Sequence, residues 1–170
     1  MMPDIQERAS GGLQTLAGKY LTFALHNESY GIDVLQTREI IRMRTVTAMP
    51  QMPQAVRGVI NLRGKIIAVV DLRLRFGLGE VQQSNETCII VVELRLPGGR
   101  STQAGLIVDA VDEVLNIAAG DIEAPPDIGC VVARDYILGI AKLNGAIKTL
   151  LNIDRVVTAT ELKEVAKESG

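Results

Sequence analysis

The sequence is poor in the residue types that most often carry chemistry. Its 170 residues include one histidine, two cysteines, two phenylalanines, three tyrosines and no tryptophan. Because transition metals are held mainly by several Cys and His side chains, this supply argues against such a metal site. The shortage of aromatic rings argues against a protein that stacks nucleic-acid bases.

The chain also lacks the long apolar runs of membrane proteins. No uncharged run approaches the roughly 18 apolar residues of a membrane-spanning helix. The first fifteen residues include Asp4, Glu7 and Arg8, which is not the pattern of a signal peptide. Cys88 opens an apolar run, so we expect a buried thiol in a reducing compartment. The sequence therefore predicts a cytoplasmic protein without direct membrane insertion.

Aliphatic side chains are abundant, and they favour β-structure. Hydrophobic residues make up 47% of the chain, yet aromatics only 3%. β-Branched residues are common in strands, and about ten short strands separated by turn signals predict an all-β architecture of two small barrels. We expect a flexible N-terminal tail over 1–17 and the β-domain over 18–157. Thr158 and Glu161 match a capping box, which predicts a short C-terminal helix over 158–170.

Turn and capping residues predict several local features. The polar run His26–Ser29 indicates a hairpin turn, and Val34–Arg42 is compatible with a short helix. Arg63 and Gly64 predict a tight turn in which glycine supplies a positive φ. Asp71 is placed to cap the helical turn that follows, because its carboxylate can accept from exposed backbone N–H groups.

Residues that could support catalysis or hold a cofactor do not cluster in the sequence. No nucleophile-elbow, P-loop or dinucleotide-binding motif is present. His26 stands alone, without a recognisable nucleophile or orienting partner. Asp109, Asp112 and Glu113 form an acidic cluster, but no calcium-loop glycine accompanies it. We expect these three carboxylates to be solvated on an edge strand, and we predict no catalytic residue, no metal and no cofactor.

The small net charge of −2 conceals two segments of opposite sign. Residues 38–75 contain eight basic and two acidic side chains, which gives +6, whereas residues 80–135 contain three and ten, which gives −7. Oppositely charged surfaces suit docking to more than one protein or head-to-tail assembly. Ordinary solvated faces are the alternative. The basic segment also leaves open a small barrel that binds nucleic acid, whose affinity would fall steeply with salt.

An ordered set of short motifs resembles the CheW family of bacterial chemotaxis coupling proteins over residues 18–157. The segment Arg57–Gly64, with sequence RGVINLRG, is the most specific part, because a strand and a DLR turn follow it. The other matching segments are Tyr30–Asp33, Arg38–Ile40, Val69–Arg73, Gly105–Asp109, Tyr136–Gly139 and Leu151–Asp154.

The resemblance implies an adaptor without catalytic activity, built from two packed five-stranded β-barrels of the Src-homology type. Its implied partners are the regulatory domain of the histidine kinase CheA and the cytoplasmic tip of methyl-accepting chemoreceptors. Nucleic acid is not among them. The adaptor would be cytoplasmic and recruited to membrane-associated receptor arrays. A non-flagellar chemosensory pathway, such as one that controls surface motility, remains an alternative.

The resemblance also assigns candidate partner-binding residues. They are matched to positions that contact the receptor or the kinase: Thr37, Glu39, Arg57, Gly58 and Arg63. We expect Glu39 to pair with Arg63, and Gly58 to allow a close backbone approach. Thr37 departs from the aliphatic residue of many relatives, which puts its contact in doubt. Gly64 and Asp71 are assigned structural roles, as turn and cap.

Overall fold

The computed structural model describes residues 16–79, 83–126 and 134–157. Eleven strands and two one-turn helices lie in these ranges, which confirms the all-β prediction. The predicted C-terminal helix and nearly all of the predicted N-terminal tail lie outside the described residues. The strands and helices are β1 Gly18–Leu25, β2 Glu28–Asp33, β3 Thr37–Arg42, β4 Val56–Leu62, β5 Lys65–Asp71, α1 Leu72–Arg75, β6 Cys88–Arg95, β7 Ser101–Val108, β8 Ala110–Ile117, β9 Ile122–Glu123, β10 Ile137–Leu143, β11 Ala146–Leu151 and α2 Ile153–Val156.

The strands form two sheets, and each sheet closes into a barrel because the chain that leaves one edge strand pairs with the opposite edge. Barrel 1 has the strand order β8-β1-β2-β11-β10-β9, and β8 and β9 are consecutive pieces of one bent stretch of chain. Barrel 2 has the order β3-β6-β7-β5-β4. The chain beyond β3 returns to β4 through paired hydrogen bonds between Thr47 and Val59, each 2.9 Å. Counting β8 and β9 as one strand, each barrel has five strands, as expected.

Barrel 2 is inserted into barrel 1, so the chain crosses between the barrels twice. The first crossing is the 3₁₀ turn Val34–Gln36, and the second is Asp109, between β7 and β8. The short helix considered within Val34–Arg42 is limited to the 3₁₀ turn Val34–Gln36, and the rest of that stretch is β3. From Thr37 the backbone pairs with β6, and this tertiary pairing overrides the local helical pattern.

Three apolar clusters account for the aliphatic composition. One fills barrel 1, one fills barrel 2, and the largest lies between the barrels. β6 contributes to two of them, because Ile89 and Val91 face the interior of barrel 2 while Ile90 and Val92 face barrel 1. Burial on both faces explains why β6 is a continuous apolar run. Cys88, at its start, is half-buried, and burial raises the pKa of its thiol.

The predicted turn at Arg63 and Gly64 is confirmed. Both residues have positive φ, +53° and +84°, as a type I′ hairpin turn between β4 and β5 requires. The Asn61 side chain accepts a hydrogen bond from the Gly64 backbone N–H at 2.8 Å, and this bond stabilises the turn.

Gly58 allows the close approach of chain that closes barrel 2. A Cβ at this position would lie 2.0 Å from the backbone oxygen of Thr47, and φ is +146°. Both the contact and the backbone conformation therefore require glycine. The expectation of a close backbone approach at Gly58 is confirmed.

Replacing Gly58 with alanine is expected to destabilise the protein more than the same change at Gly64. Gly64 also has a positive φ, but nothing lies within 4 Å of the site of its Cβ. Strained backbone alone costs about 1–3 kcal/mol, and the clash with Thr47 adds to this cost only at Gly58. Urea unfolding of both variants measures the difference. Equal losses of stability would contradict the closure role of Gly58.

Candidate functional site

The candidate site is built around an ion pair at one end of barrel 2. Glu39 lies on β3, and Arg63 lies in the β4–β5 turn, where the hairpin brings it across to Glu39. Arg63 Nη1 donates to Glu39 Oε2 at 2.6 Å, and Nη2 donates to Oε1 at 2.7 Å. Such a bidentate fork fixes the relative orientation of both planar groups. The predicted pairing of Glu39 with Arg63 is confirmed.

The ion pair is accessible to a partner. The Arg63 side chain is 70% exposed and that of Glu39 is 29% exposed. The hydrogen bonds and positive charge of Arg63, with a smaller contribution from Arg44, hold the pKa of Glu39 below its ordinary value. Arg44 also donates to the backbone oxygen of Asn61 at 3.4 Å. The site therefore presents a charged surface with a fixed geometry.

Asp71 forms a second, buried ion-pair network in the same barrel. Its Oδ1 accepts from the backbone N–H of Arg73 at 2.9 Å, which confirms the predicted cap of α1. The Arg73 guanidinium also binds Asp71, from Nε to Oδ1 and from Nη2 to Oδ2, each at 3.0 Å. Arg57 donates to Oδ2 from Nε and Nη2, at 3.2 and 3.1 Å.

The Asp71–Arg73 pair at the centre of the network is almost completely removed from water, whereas the Arg57 side chain is 36% exposed. The side chains of Asp71 and Arg73 are 0% and 2% exposed. Burial alone raises the pKa of Asp71, but hydrogen bonds from Arg73 and Arg57 and the charge of Arg73 outweigh it and lower that pKa. A buried arginine was not anticipated from the sequence. The sequence signal for it is the two-residue spacing of Asp71 and Arg73. This spacing lets the carboxylate accept from both the backbone N–H and the guanidinium of Arg73.

Acid is expected to remove the stabilisation that Asp71 provides. Because its pKa is lower in the folded protein than the ordinary value of 3.8, this contribution is present above about pH 4 and is lost as pH falls through the folded pKa. The free energy of unfolding should thus fall more between pH 5 and pH 2 in the wild type than in Asp71→Asn. Parallel pH profiles for the two proteins would contradict this expectation.

The remaining candidate residues also lie in barrel 2, but each of them contacts different neighbours. Thr37 begins β3, and its hydroxyl donates to the Asp33 backbone oxygen at 3.4 Å. Arg57 lies beside a cleft of about 580 Å³ that Arg44 and Arg73 also line. Among the five candidate residues, Glu39 and Arg63 bind each other directly.

The acidic cluster of Asp109, Asp112 and Glu113 is not arranged to hold a metal ion. Asp109 instead accepts from Arg73 Nη1 at 3.1 Å and from the His26 backbone N–H at 2.7 Å. The expectation that Asp109 is simply solvated on an edge strand is wrong, because the carboxylate is 21% exposed and has two partners. Asp112 and Glu113 are exposed, as expected. Across 16–79, 83–126 and 134–157, no group of three or more Asp, Glu, His or Cys residues is arranged to hold a metal ion.

The helices of the described ranges are short. None of them has both the length and the apolar character needed to span a membrane.

Two packed five-stranded barrels with one inserted into the other define the class of fold, and comparisons with known proteins identify the family. A family model described as the CheW-like domain matches residues 19–161. Chemotaxis protein CheW of Klebsiella aerogenes is 33% identical over 149 residues, which cover 88% of this chain and 87% of that protein. The crystal structure of the scaffolding protein TtCheW from Thermoanaerobacter tengcongensis has a TM-score of 0.75 and 36% identity, covering 86% of this chain and 91% of the other.

The chain belongs to the CheW-like family. A more distant relative, protein FrzA of Myxococcus xanthus, is 26% identical over 88% of this chain and 91% of its own length. The family resemblance in the sequence is thereby confirmed.

Proposed function

We propose that this protein is a non-enzymatic adaptor that couples methyl-accepting chemoreceptors to the histidine kinase CheA in signalling arrays. The observation that carries the proposal is the family match over residues 19–161, which spans both barrels. The relatives it matches are described as chemotaxis and scaffolding proteins. A bridging protein needs two binding surfaces, and two barrels supply them. We propose residues 18–157 as the functional unit.

We place one partner-binding surface on barrel 2, around the Glu39–Arg63 ion pair. The +6 segment, residues 38–75, belongs to this barrel, and its exposed basic side chains, such as Arg42 and Lys65, favour a partner with an acidic surface. Thr37 and Arg57 would contribute contacts at the margin of this surface. Gly58 supports this surface indirectly, because its lack of a side chain lets the chain after β3 pack on β4.

The adaptor would be cytoplasmic and recruited to membrane-associated arrays through the cytoplasmic tip of the receptors, without inserting into the bilayer. It would bind the regulatory domain of the kinase and not nucleic acid. Arg57, Arg63 and Arg73 each bind a carboxylate of barrel 2, so these arginines are less available to phosphates than the charge count suggests. A non-flagellar pathway is the second candidate, since one relative of similar length, protein FrzA, carries a different name from the CheW proteins.

The proposal predicts a ternary complex. Receptor signalling fragments on vesicles are sedimented with CheA in the presence and absence of this protein, and kinase activity is measured in the pellet. We expect the protein to increase both the sedimented kinase and its activity. Sedimentation with receptors alone and with kinase alone provides the two binary controls. Failure to bind either partner, with no change in kinase activity, would overturn the proposal.

A further inference from the structure

At each crossing between the barrels, a carboxylate accepts hydrogen bonds that link the crossing to the barrels: Asp109 is itself the second crossing, and Asp154 of α2 binds the first. These two contacts lie outside the Glu39–Arg63 site. They also differ from the apolar cluster between the barrels, because hydrogen bonds are directional whereas apolar burial is not. Their geometry is informative about how the two barrels are held relative to each other.

Asp109 forms the first contact, the Asp109 bridge. This residue is the second crossing itself. Its Oδ2 accepts from the backbone N–H of His26, in the β1–β2 turn of barrel 1, at 2.7 Å. Its Oδ1 accepts from Arg73 Nη1, on α1 beside barrel 2, at 3.1 Å. Its own backbone N–H donates to the Ala24 oxygen of β1 at 3.0 Å. One side chain therefore ties an element of each barrel to the crossing.

Asp154 forms the second contact, the Asp154 bridge. It lies on α2, which follows β11 of barrel 1. Its Oδ1 accepts from the backbone N–H of Arg95, on β6 of barrel 2, at 2.9 Å. The same oxygen accepts from the Gln36 amide, in the first crossing, at 3.1 Å. Gln36 also donates to the Glu93 backbone oxygen at 3.2 Å.

The two bridges lie at opposite ends of the same pair of strands. In the β6–β7 ladder, Arg95 pairs with Ser101 at one end and Cys88 pairs with Val108 at the other. Asp109 follows Val108 directly. Seven residue steps at about 3.3 Å each separate the two ends by roughly 23 Å. Two directional contacts so far apart oppose a rotation that a single contact would permit.

We propose that Asp109 and Asp154 are positioning residues that fix the orientation of barrel 1 relative to barrel 2. The apolar cluster holds the barrels together, and the two bridges select one rotation among the arrangements that would bury similar apolar area. The consequence for signalling rests on the proposed adaptor function, because a bridging protein must hold its two binding surfaces at a constant angle.

Residual dipolar couplings of backbone amides test the orientation without any partner. In the wild type, one alignment tensor should fit both barrels. In Asp109→Ala/Asp154→Ala, we expect the tensors of the two barrels to differ in orientation or magnitude, and each single variant should show a smaller difference. Asp112→Ala removes an exposed carboxylate as a matched control. Gly58→Ala controls for lost stability, because it disturbs the closure of barrel 2 at Thr47 and leaves both bridges in place.

A double variant in which one common tensor still fits both barrels, at their wild-type relative orientation, would overturn the proposal. If that variant does not fold, the single variants Asp109→Ala and Asp154→Ala are measured instead. One common tensor that fits both barrels in each of these single variants would again overturn the proposal. Because the measurement contains neither receptor nor kinase, its result is independent of the ternary-complex test.

Discussion

Asp71→Ala is expected to lower the free energy of unfolding by about 3–5 kcal/mol, the cost of removing one partner from a buried ion pair. Arg73 is 2% exposed, and Asp71 accepts hydrogen bonds from its backbone N–H, Nε and Nη2. Without that carboxylate, the buried guanidinium keeps Asp109 as its carboxylate partner. Loss of the α1 cap adds to the cost in the same direction.

Urea unfolding at pH 7 measures the effect of Asp71→Ala. Asp112→Ala is the matched control, since it removes an equal charge from an exposed position on β8, where substitutions usually change stability by less than about 0.5 kcal/mol. A loss at Asp71 no larger than that at Asp112 would show that the network does not stabilise the fold.

Arg63→Glu is expected to give the largest functional loss while leaving the fold intact. The substitution places a glutamate where Arg63 now holds Glu39, so two like charges face each other at the proposed binding surface. Reversing a charge that faces a binding partner typically costs several kcal/mol of binding, which corresponds to a loss of affinity of roughly a hundredfold or more. Because Arg63 is 70% exposed, we expect little change in stability.

Kinase activity in receptor–kinase assemblies measures this loss, with unfolding curves recorded in parallel. Arg100→Glu is the matched control, because it changes the charge by the same amount at an exposed position in the β6–β7 turn of barrel 2. Equal losses from the two substitutions would attribute the effect to net charge, not to the ion pair.

Features determined by neighbouring residues were predictable from the sequence. Gly64 indicated its turn because glycine adopts a positive φ without strain, whereas the positive φ of Arg63 was not predicted. The cap formed by Asp71 was predictable because its carboxylate accepts from a backbone N–H only two residues further along the chain. The Glu39–Arg63 pair spans 24 positions, and it was predicted only with the help of the family resemblance.

Features determined by distant residues were not predictable. Val34–Arg42 has a helical pattern, but pairing with β6, about 50 residues later, makes most of it a strand. Asp109 was expected to be solvated because its partners, His26 and Arg73, lie 83 and 36 residues away. The burial of Arg73 was not anticipated for the same reason. Inserting one barrel into another creates contacts that no local pattern encodes.

The most direct test of the central claim, that the Glu39–Arg63 ion pair organises the partner-binding surface of an adaptor, is a double charge exchange. Kinase activity is measured in receptor–kinase assemblies containing Glu39→Arg, Arg63→Glu or both substitutions. We expect each single exchange to impair coupling and the double exchange to restore roughly half or more of the wild-type activity, because the fork re-forms with its polarity reversed. A double variant whose defect equals the sum of the two single defects would contradict the claim.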